Sequence, residues 1–248
     1  MAEARRGKEA PPRLPYLRRR YTAGDQNRFA DRKPRIAALG CGLIALSDLL
    51  LYLRGIGSSG CVPRGAVPLR CGGAYSGYVC ALNRRAAVRP LIGLNGLSMA
   101  RAFNRYAKKR GWRCRARWAK LSDVQLLETV RRMLAEDIPA ILSVGPGFSG
   151  EGGARGIKLF EMREEDEAFA GAPVRAGEVG NHYMTAIGMI RIGGREYFRV
   201  VSWGRCYLIS VEEYLRGREK LPLFGTLFSS VLEIRQSGDR SRLFAFRL

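Results

Sequence analysis

Histidine is almost absent from this chain of 248 residues, which contains only His182. Chemistry that needs an imidazole therefore has one possible position. Closely spaced cysteine pairs are missing as well, because Cys61, Cys71 and Cys80 follow one another at wide intervals with no histidine nearby. Zinc sites use tighter ligand pairs than these. We expect no metal site, and nothing in the sequence calls for a cofactor.

Acidic residues and lysines are also few. Lys and Arg number 43 against 22 Asp and Glu, which gives a net charge of +21, and only seven of the basic residues are lysine. Such a charge suits a polyanion such as nucleic acid. The basic residues are scattered, however, without the interleaved aromatic residues of RNA-binding modules. We therefore attribute the net charge to a general enrichment in arginine, and nucleic-acid binding stays an alternative.

No apolar run is long enough to cross a bilayer. The longest, over 41–53, contains Ser47 and Asp48 and is too short. Residues 1–15 are polar and rich in proline, without the apolar centre of a secretory signal. We expect a cytoplasmic protein whose six cysteines are mostly reduced. The sequence does not indicate an oligomeric state.

The pattern along the chain predicts one domain over residues 24–248, preceded by a basic flexible arm over 1–23. A segment over 39–53 is apolar on nearly all faces, which is typical of a central helix. Later helices are predicted over 97–109 and from the capping box that begins at Ser122.

Strand patterns dominate the second half of the chain. Residues 183–190 and 197–202 predict a hairpin around Gly193-Gly194. Further strands are predicted over 140–144, 157–160, 206–210 and 226–235. Helices first and antiparallel strands later indicate an α+β fold.

Cys41 lies at the start of the apolar central helix, in Gly40-Cys41-Gly42. A helix start stabilises a thiolate, so we expect the pKa of this thiol to be lowered. The flanking glycines would let a substrate carbonyl approach closely, and the Cys41 amide would be one oxyanion donor. The alternative is a small buried cysteine with a packing role.

His182 follows a glycine-rich loop and begins an apolar strand, so a rigid element would support it. The next strand returns alongside and ends in Ser202-Trp203-Gly204. Cysteine, histidine and a hydrogen-bonding third residue are the parts of an activated thiol nucleophile. The pattern therefore favours a cysteine nucleophile that uses the imidazole of His182.

Together, these three motifs resemble the papain-like cysteine peptidases, most of all the bacterial branch related to the bacteriocin-leader-processing (double-glycine) peptidases. The resemblance covers roughly residues 24–235, although the diagnostic part is only the three motifs. It implies a central helix carrying Cys41, packed on an antiparallel sheet carrying His182. Cys41 would be the nucleophile and His182 its base, and Ser202 would orient the imidazole.

The chain departs from this family in two places. Asn or Asp usually orients the histidine, and a Ser202 hydroxyl stabilises an imidazolium less than a carboxylate does. The family's oxyanion glutamine is missing just before the cysteine; Gln26 or Asn27 would have to fold back to the site, and we favour Gln26. Gly40, Gly42, Asn181 and Trp203 complete the set of residues expected to bind the oxyanion or substrate. The expected substrate is a peptide or other amide.

One further alternative comes from these departures. The chain would then be a catalytically weak or inactive relative that binds a peptide or partner in the old cleft.

Overall fold

The structure is a computed structural model that describes residues 14–17, 21, 23–56, 73–86, 93–148, 156–161, 173–219 and 228–236. In this part of the chain it is a mixed α+β protein with six α-helices and two antiparallel sheets. The helices are α1 (Pro34–Leu39), α2 (Cys41–Ile56), α3 (Gly73–Ala86), α4 (Gly96–Lys109), α5 (Asp123–Ala135) and α6 (Val211–Glu219). The strands are β1 (Cys114–Trp118), β2 (Ala140–Val144), β3 (Ile157–Glu161), β4 (Arg175–Val179), β5 (His182–Ile192), β6 (Arg195–Ser202), β7 (Arg205–Ser210) and β8 (Leu232–Gln236).

The larger sheet has six antiparallel strands in the order β2-β5-β6-β7-β3-β4. The hairpin of β5 and β6 turns at Gly193-Gly194, where both glycines have positive φ, as the sequence predicts. β1 and β8 form the second sheet, and a bridge between Leu142 and Val231 links the start of β8 to β2. The strands that carry His182 and Ser202 therefore lie inside the larger sheet.

Helix α2 is the central helix of the domain and packs against β5, α3 and α4. Most of its leucines are removed from solvent, as expected for a segment that is apolar on nearly all faces. The fully buried ones are Leu43, Leu46, Leu49, Leu50 and Leu53. The predicted position of this helix is confirmed. Its start differs by two residues, because Gly40 ends α1 and a new helix begins at Cys41.

The capping box at Ser122 is present, with reciprocal bonds between Ser122 and Gln125 at the start of α5. The last strand is shorter than expected and covers Leu232–Gln236 only. The turn-rich residues 55–73 predict a long loop, and the glycine-rich residues 145–156 predict a mobile one. Residues 57–72 and 149–155 of these two stretches lie outside the described residues. No helix in the described ranges is long and apolar enough to cross a membrane.

Part of the predicted flexible arm is packed on the sheet. The Leu17 amide donates to the Ile187 carbonyl at 3.1 Å, and the Met189 amide donates to the Pro15 carbonyl at 3.0 Å. These residues continue along β5 beyond the end of β2, and Leu17 is buried. Within the predicted arm over 1–23, Pro15 and Leu17 are therefore paired with β5. Residues 1–13, 18–20 and 22 lie outside the described residues.

Candidate active site

His182 and Ser202 are in direct contact. His182 is the first residue of β5 and Ser202 is the last residue of β6, so the antiparallel hairpin brings both to the same end of the sheet. The distance between His182 Nε2 and Ser202 Oγ is 2.7 Å. His182 is buried and Ser202 is half-buried. A hydrogen bond from a second strand therefore fixes the edge of the imidazole.

Trp203 fixes the face of the same ring. Its side chain stacks on His182 with centroids 4.2 Å apart and planes 19° from parallel. Trp203 and Gly204 form the two-residue turn between β6 and β7, with φ of 48° and 71°. A bulky residue in this left-handed region costs roughly 1–3 kcal/mol and is common at functional sites. The turn tolerates this backbone strain, and the result is an imidazole held on its edge and on its face.

The imidazole of His182 is neutral at physiological pH. Burial lowers its pKa to about 4, because the charged form would lose its hydration. Ser202 is hydrogen-bonded to Nε2 of the ring, so Nδ1 is the nitrogen that remains for chemistry. When Nε2 carries the hydrogen and donates it to Ser202, Nδ1 is the free base.

Cys41 is the first residue of α2, with Gly40 closing α1 before it. Backbone amides of Tyr183, Gly42 and Cys41 itself act on the sulfur and favour the thiolate. Burial has the larger effect and raises the pKa of the thiol. The lowered pKa expected from the helix start is therefore wrong in direction, since the helix-end effect is smaller than the loss of hydration.

Gly42 allows the elements around Cys41 to approach one another. A Cβ at this position would lie 2.9 Å from the Leu94 carbonyl oxygen and 3.2 Å from the ring of Tyr183. Such distances are too short for an alanine without movement of the backbone. Gly42 is thus needed for packing, which places Tyr183, the neighbour of His182, beside the thiol.

A small cleft lies along this end of α2, with a volume of about 10 Å³, which is room for about one water molecule. Cys41, Gln26, Ser202 and Trp203 all line it. Four of the residues predicted for the site therefore share one cavity, and His182 is joined to it through its contacts with Ser202 and Trp203.

The side chains of Gln26 and Asn27, both considered as oxyanion donors, lie in different surroundings in the structure. Gln26 faces the cleft, and its Nε2 donates to the Ala37 carbonyl in α1 at 2.9 Å, which leaves a second N–H. Asn27 is exposed and its backbone amide bonds to Asp25, so its amide side chain is not part of the cleft wall. Asn181 is exposed too, with φ of 48°, and makes the turn into β5. Gln26 is therefore the better oxyanion candidate.

Asp48 is a residue of the cleft that the sequence analysis does not identify. It lies on α2, is 6% exposed, and accepts hydrogen bonds from the Gly24 amide and the Tyr75 hydroxyl, both at 2.7 Å. Burial raises its pKa to about 7. The signal was its position seven residues after Cys41 in an otherwise apolar helix, since that spacing is two turns on one face.

No three metal-ligating side chains come together among the residues that the structure describes. Comparison with known proteins finds no match: no family model, no curated protein and no solved structure corresponds to the chain.

Proposed function

We propose that the protein is a papain-like cysteine hydrolase that cleaves a peptide or other amide bond, or a close acyl-transfer relative. The observation that carries this proposal is the restrained imidazole of His182, bonded to Ser202 and stacked on Trp203, two residues that line the cleft with Cys41. The packing of α2, which carries Cys41, against β5, which carries His182, supports the proposal. No cofactor takes part in the proposed reaction.

The reaction begins when Cys41 Sγ attacks the substrate carbonyl carbon and its proton passes to His182 Nδ1. The carbonyl electrons move to the oxygen, where the Cys41 amide and the free N–H of Gln26 stabilise the negative charge. Breakdown of this intermediate breaks the C–N bond, and His182 returns the proton to the leaving amine. Water then hydrolyses the thioester with His182 again as the base. Ser202 accepts the Nε2–H bond throughout and holds the ring.

Both reacting groups are neutral at rest in this scheme. Burial raises the pKa of Cys41 and lowers the pKa of His182, and no carboxylate contacts the imidazole among the described residues. The proton therefore moves as the S–C bond forms, rather than before substrate binds. This mode of activation resembles the serine–histidine pairs more than a resting thiolate–imidazolium pair.

Two features of the site favour a second candidate, a catalytically weak or inactive protein that binds a peptide or partner in the cleft. A raised thiol pKa and a hydroxyl as the third residue both reduce the reactivity of Cys41.

Selective labelling of cysteine separates these two candidates. The native protein is treated between pH 6 and 10 with limiting iodoacetamide and, in parallel, with a peptide-derived acyl electrophile, and the labelled cysteines are mapped by mass spectrometry. The hydrolase proposal predicts that the acyl electrophile reacts at Cys41, and that His182→Ala slows this reaction about 100-fold or more. Cys80, also half-buried, provides the internal control.

Equal rates at Cys41 and Cys80, unchanged by His182→Ala, would rule out an activated nucleophile. The binding candidate would then remain, and Cys41→Ala would be expected to retain peptide binding.

A further inference from the structure

The acidic residues of the chain are distributed unevenly. Residues 49–122 contain 15 Lys and Arg but no Asp or Glu, whereas the rest of the chain has 28 Lys and Arg against 22 Asp and Glu. This one stretch therefore provides 15 of the 21 net positive charges. A general enrichment in arginine does not explain the difference, because it adds cations without removing carboxylates from one region. The positive charge is thus concentrated in one part of the chain.

Helix α4 presents a row of these cations to solvent. The described part of the stretch forms the end of α2, then α3, α4 and β1, and α4 packs against both α3 and β1. One side of α4 is buried in the core, including Met99 and Phe103. The other side has three exposed cations at intervals of four and three residues, which places them in one row: Arg101, Arg105 and Lys108.

Strand β1 lies beside this row and adds to it. Its residues alternate between buried and exposed, and Arg115 and Arg117 are the exposed ones. Ala116, between them, is bonded to the Asn104 side chain of α4, whose Nδ2 donates to the carbonyl at 2.8 Å and whose Oδ1 accepts from the amide at 2.7 Å. The two rows therefore lie side by side. They form the basic face, which consists of Arg101, Arg105, Lys108, Arg115 and Arg117.

Charges on the basic face are not balanced within the described part of the chain. Arg117 alone among its five residues has an ion pair there, with Glu233, and that buried carboxylate is shared with Arg132 and Arg235. The register of β1 and β8 also puts Arg115 directly opposite Arg235. Like charges in this arrangement repel one another. A bound anion would remove this repulsion.

The side chains on and around the basic face restrict the kind of anion. Guanidinium and ammonium groups only donate hydrogen bonds, which suits phosphate oxygens and offers no acceptor to a ribose 2′-hydroxyl. The nearby Trp112 and Trp118 are buried, so they do not provide the stacking platform that single strands use. Among the large apolar residues of α4, only Leu97 is exposed, which leaves no apolar row for a bilayer.

We propose that the basic face binds the phosphate backbone of double-stranded DNA without reading its sequence. The inference is independent of the proposed hydrolase function, because it uses no residue of the cleft. Each phosphate contact contributes about 0.9 to the slope of log affinity against log salt concentration. Five contacts would give a slope of about 4.5, so the complex should dissociate as salt is raised.

The first test compares two variants that make the same change in net charge. The face variant has three substitutions on the basic face: Arg101→Gln, Arg105→Gln and Arg115→Gln. The control variant has three at exposed arginines on other elements: Arg28→Gln, Arg32→Gln and Arg195→Gln. Affinity for a fluorescent DNA duplex is measured by anisotropy between about 50 and 150 mM salt. We expect the salt slope to fall by about 2.7 in the face variant and to stay unchanged in the control.

Equal changes in the two variants would overturn the proposal, since binding would then follow the overall charge. Single-stranded DNA, duplex RNA of the same length and phosphatidylglycerol vesicles serve as competitors and identify the occupant. Tighter binding of the single strand or of duplex RNA would overturn the assignment to DNA. A face variant that loses vesicle binding and retains duplex binding would overturn it as well.

The second test uses the wild-type protein and needs no variant to fold. Lysines are acetylated with limiting N-hydroxysuccinimidyl acetate, with and without the DNA duplex, and mapped by mass spectrometry. We expect the duplex to protect Lys108 and its neighbour Lys109 but not Lys33, which is exposed at the start of α1. Equal acetylation of Lys108 in the free and DNA-bound protein would overturn the proposal.

Discussion

Replacing Ser202 by aspartate tests whether the missing carboxylate explains the neutral state of His182. Ser202 Oγ lies 2.7 Å from His182 Nε2, so a carboxylate at this position would lie within direct ion-pair distance. Two unit charges about 4 Å apart interact by about 4 kcal/mol at an effective dielectric constant of about 20. Desolvation of the new carboxylate opposes this gain. A nearby opposite charge typically shifts a pKa by about 1–3 units, so we expect the pKa of His182 to rise from about 4 to between about 5 and 7.

The single histidine makes the measurement direct. The imidazole resonances of the chain all come from His182, so an NMR titration needs no assignment. Ser202→Asn is the control, because its amide can bond to Nε2 without a charge. Circular dichroism at each pH confirms that the protein stays folded. A wild-type pKa near the ordinary value of about 6.5 would contradict the buried geometry, and equal pKa values in Ser202→Asp and Ser202→Asn would refute the electrostatic explanation.

Two other predictions concern the candidate site, and a third concerns the net charge of the chain. Trp203→Asn relieves the backbone strain of the turn but removes the ring that stacks on His182. We therefore expect little change in the urea midpoint and a slower labelling of Cys41. An unaltered labelling rate would show that the stack does not position His182. His182 and Asp48 should give opposite pH dependences of the free energy of unfolding, measured in urea. The pKa of His182 is lowered in the folded state, so stability falls by about 3 kcal/mol from pH 6.5 to 4, and His182→Gln should remove this loss. The pKa of Asp48 is raised to about 7, so the free energy of unfolding falls by about 4 kcal/mol as pH rises from 4 to 7. Asp48→Asn should therefore become the more stable protein above pH 7. A difference in free energy of unfolding between wild type and variant that does not change with pH would argue against the pKa shift of that residue. Finally, fluorescence anisotropy with duplex DNA should show binding at low salt that is lost by about 0.2 M salt, whereas binding that persists would favour a dedicated polyanion site.

The sequence predicts elements whose signal is local. The apolar segment of α2, the capping box at Ser122 and the Gly193-Gly194 turn each carry their own residue pattern, and all three are present. α3 and β4 were not predicted. The polar residues and glycines of α3 weaken its helical pattern, and β4 is an edge strand whose residues are mostly exposed, so no alternating pattern marks it.

The residues of the candidate site could be selected from the sequence, but their pKa values could not. Cys41, His182 and Ser202 stand out by residue type and position, and the hairpin then brings His182 and Ser202 together. The pKa of Cys41 depends on how far its sulfur is shielded, which the helix start does not reveal. Asp48 was missed because a carboxyl within an apolar helix becomes informative only when its neighbours, Gly24 and Tyr75, are known.

The segment that precedes the first helix has a consequence for how the protein is handled. Pro15 and Leu17 are bonded to β5, and Gly24 bonds both Asp48 and the Gly204 amide of the turn that follows Trp203. A deletion that stops before residue 14 removes none of these contacts, whereas a deletion through residue 24 removes one wall of the cleft. A truncation that reaches into residues 14–24 therefore changes the cleft itself, and an activity comparison is meaningful only between proteins that keep these residues.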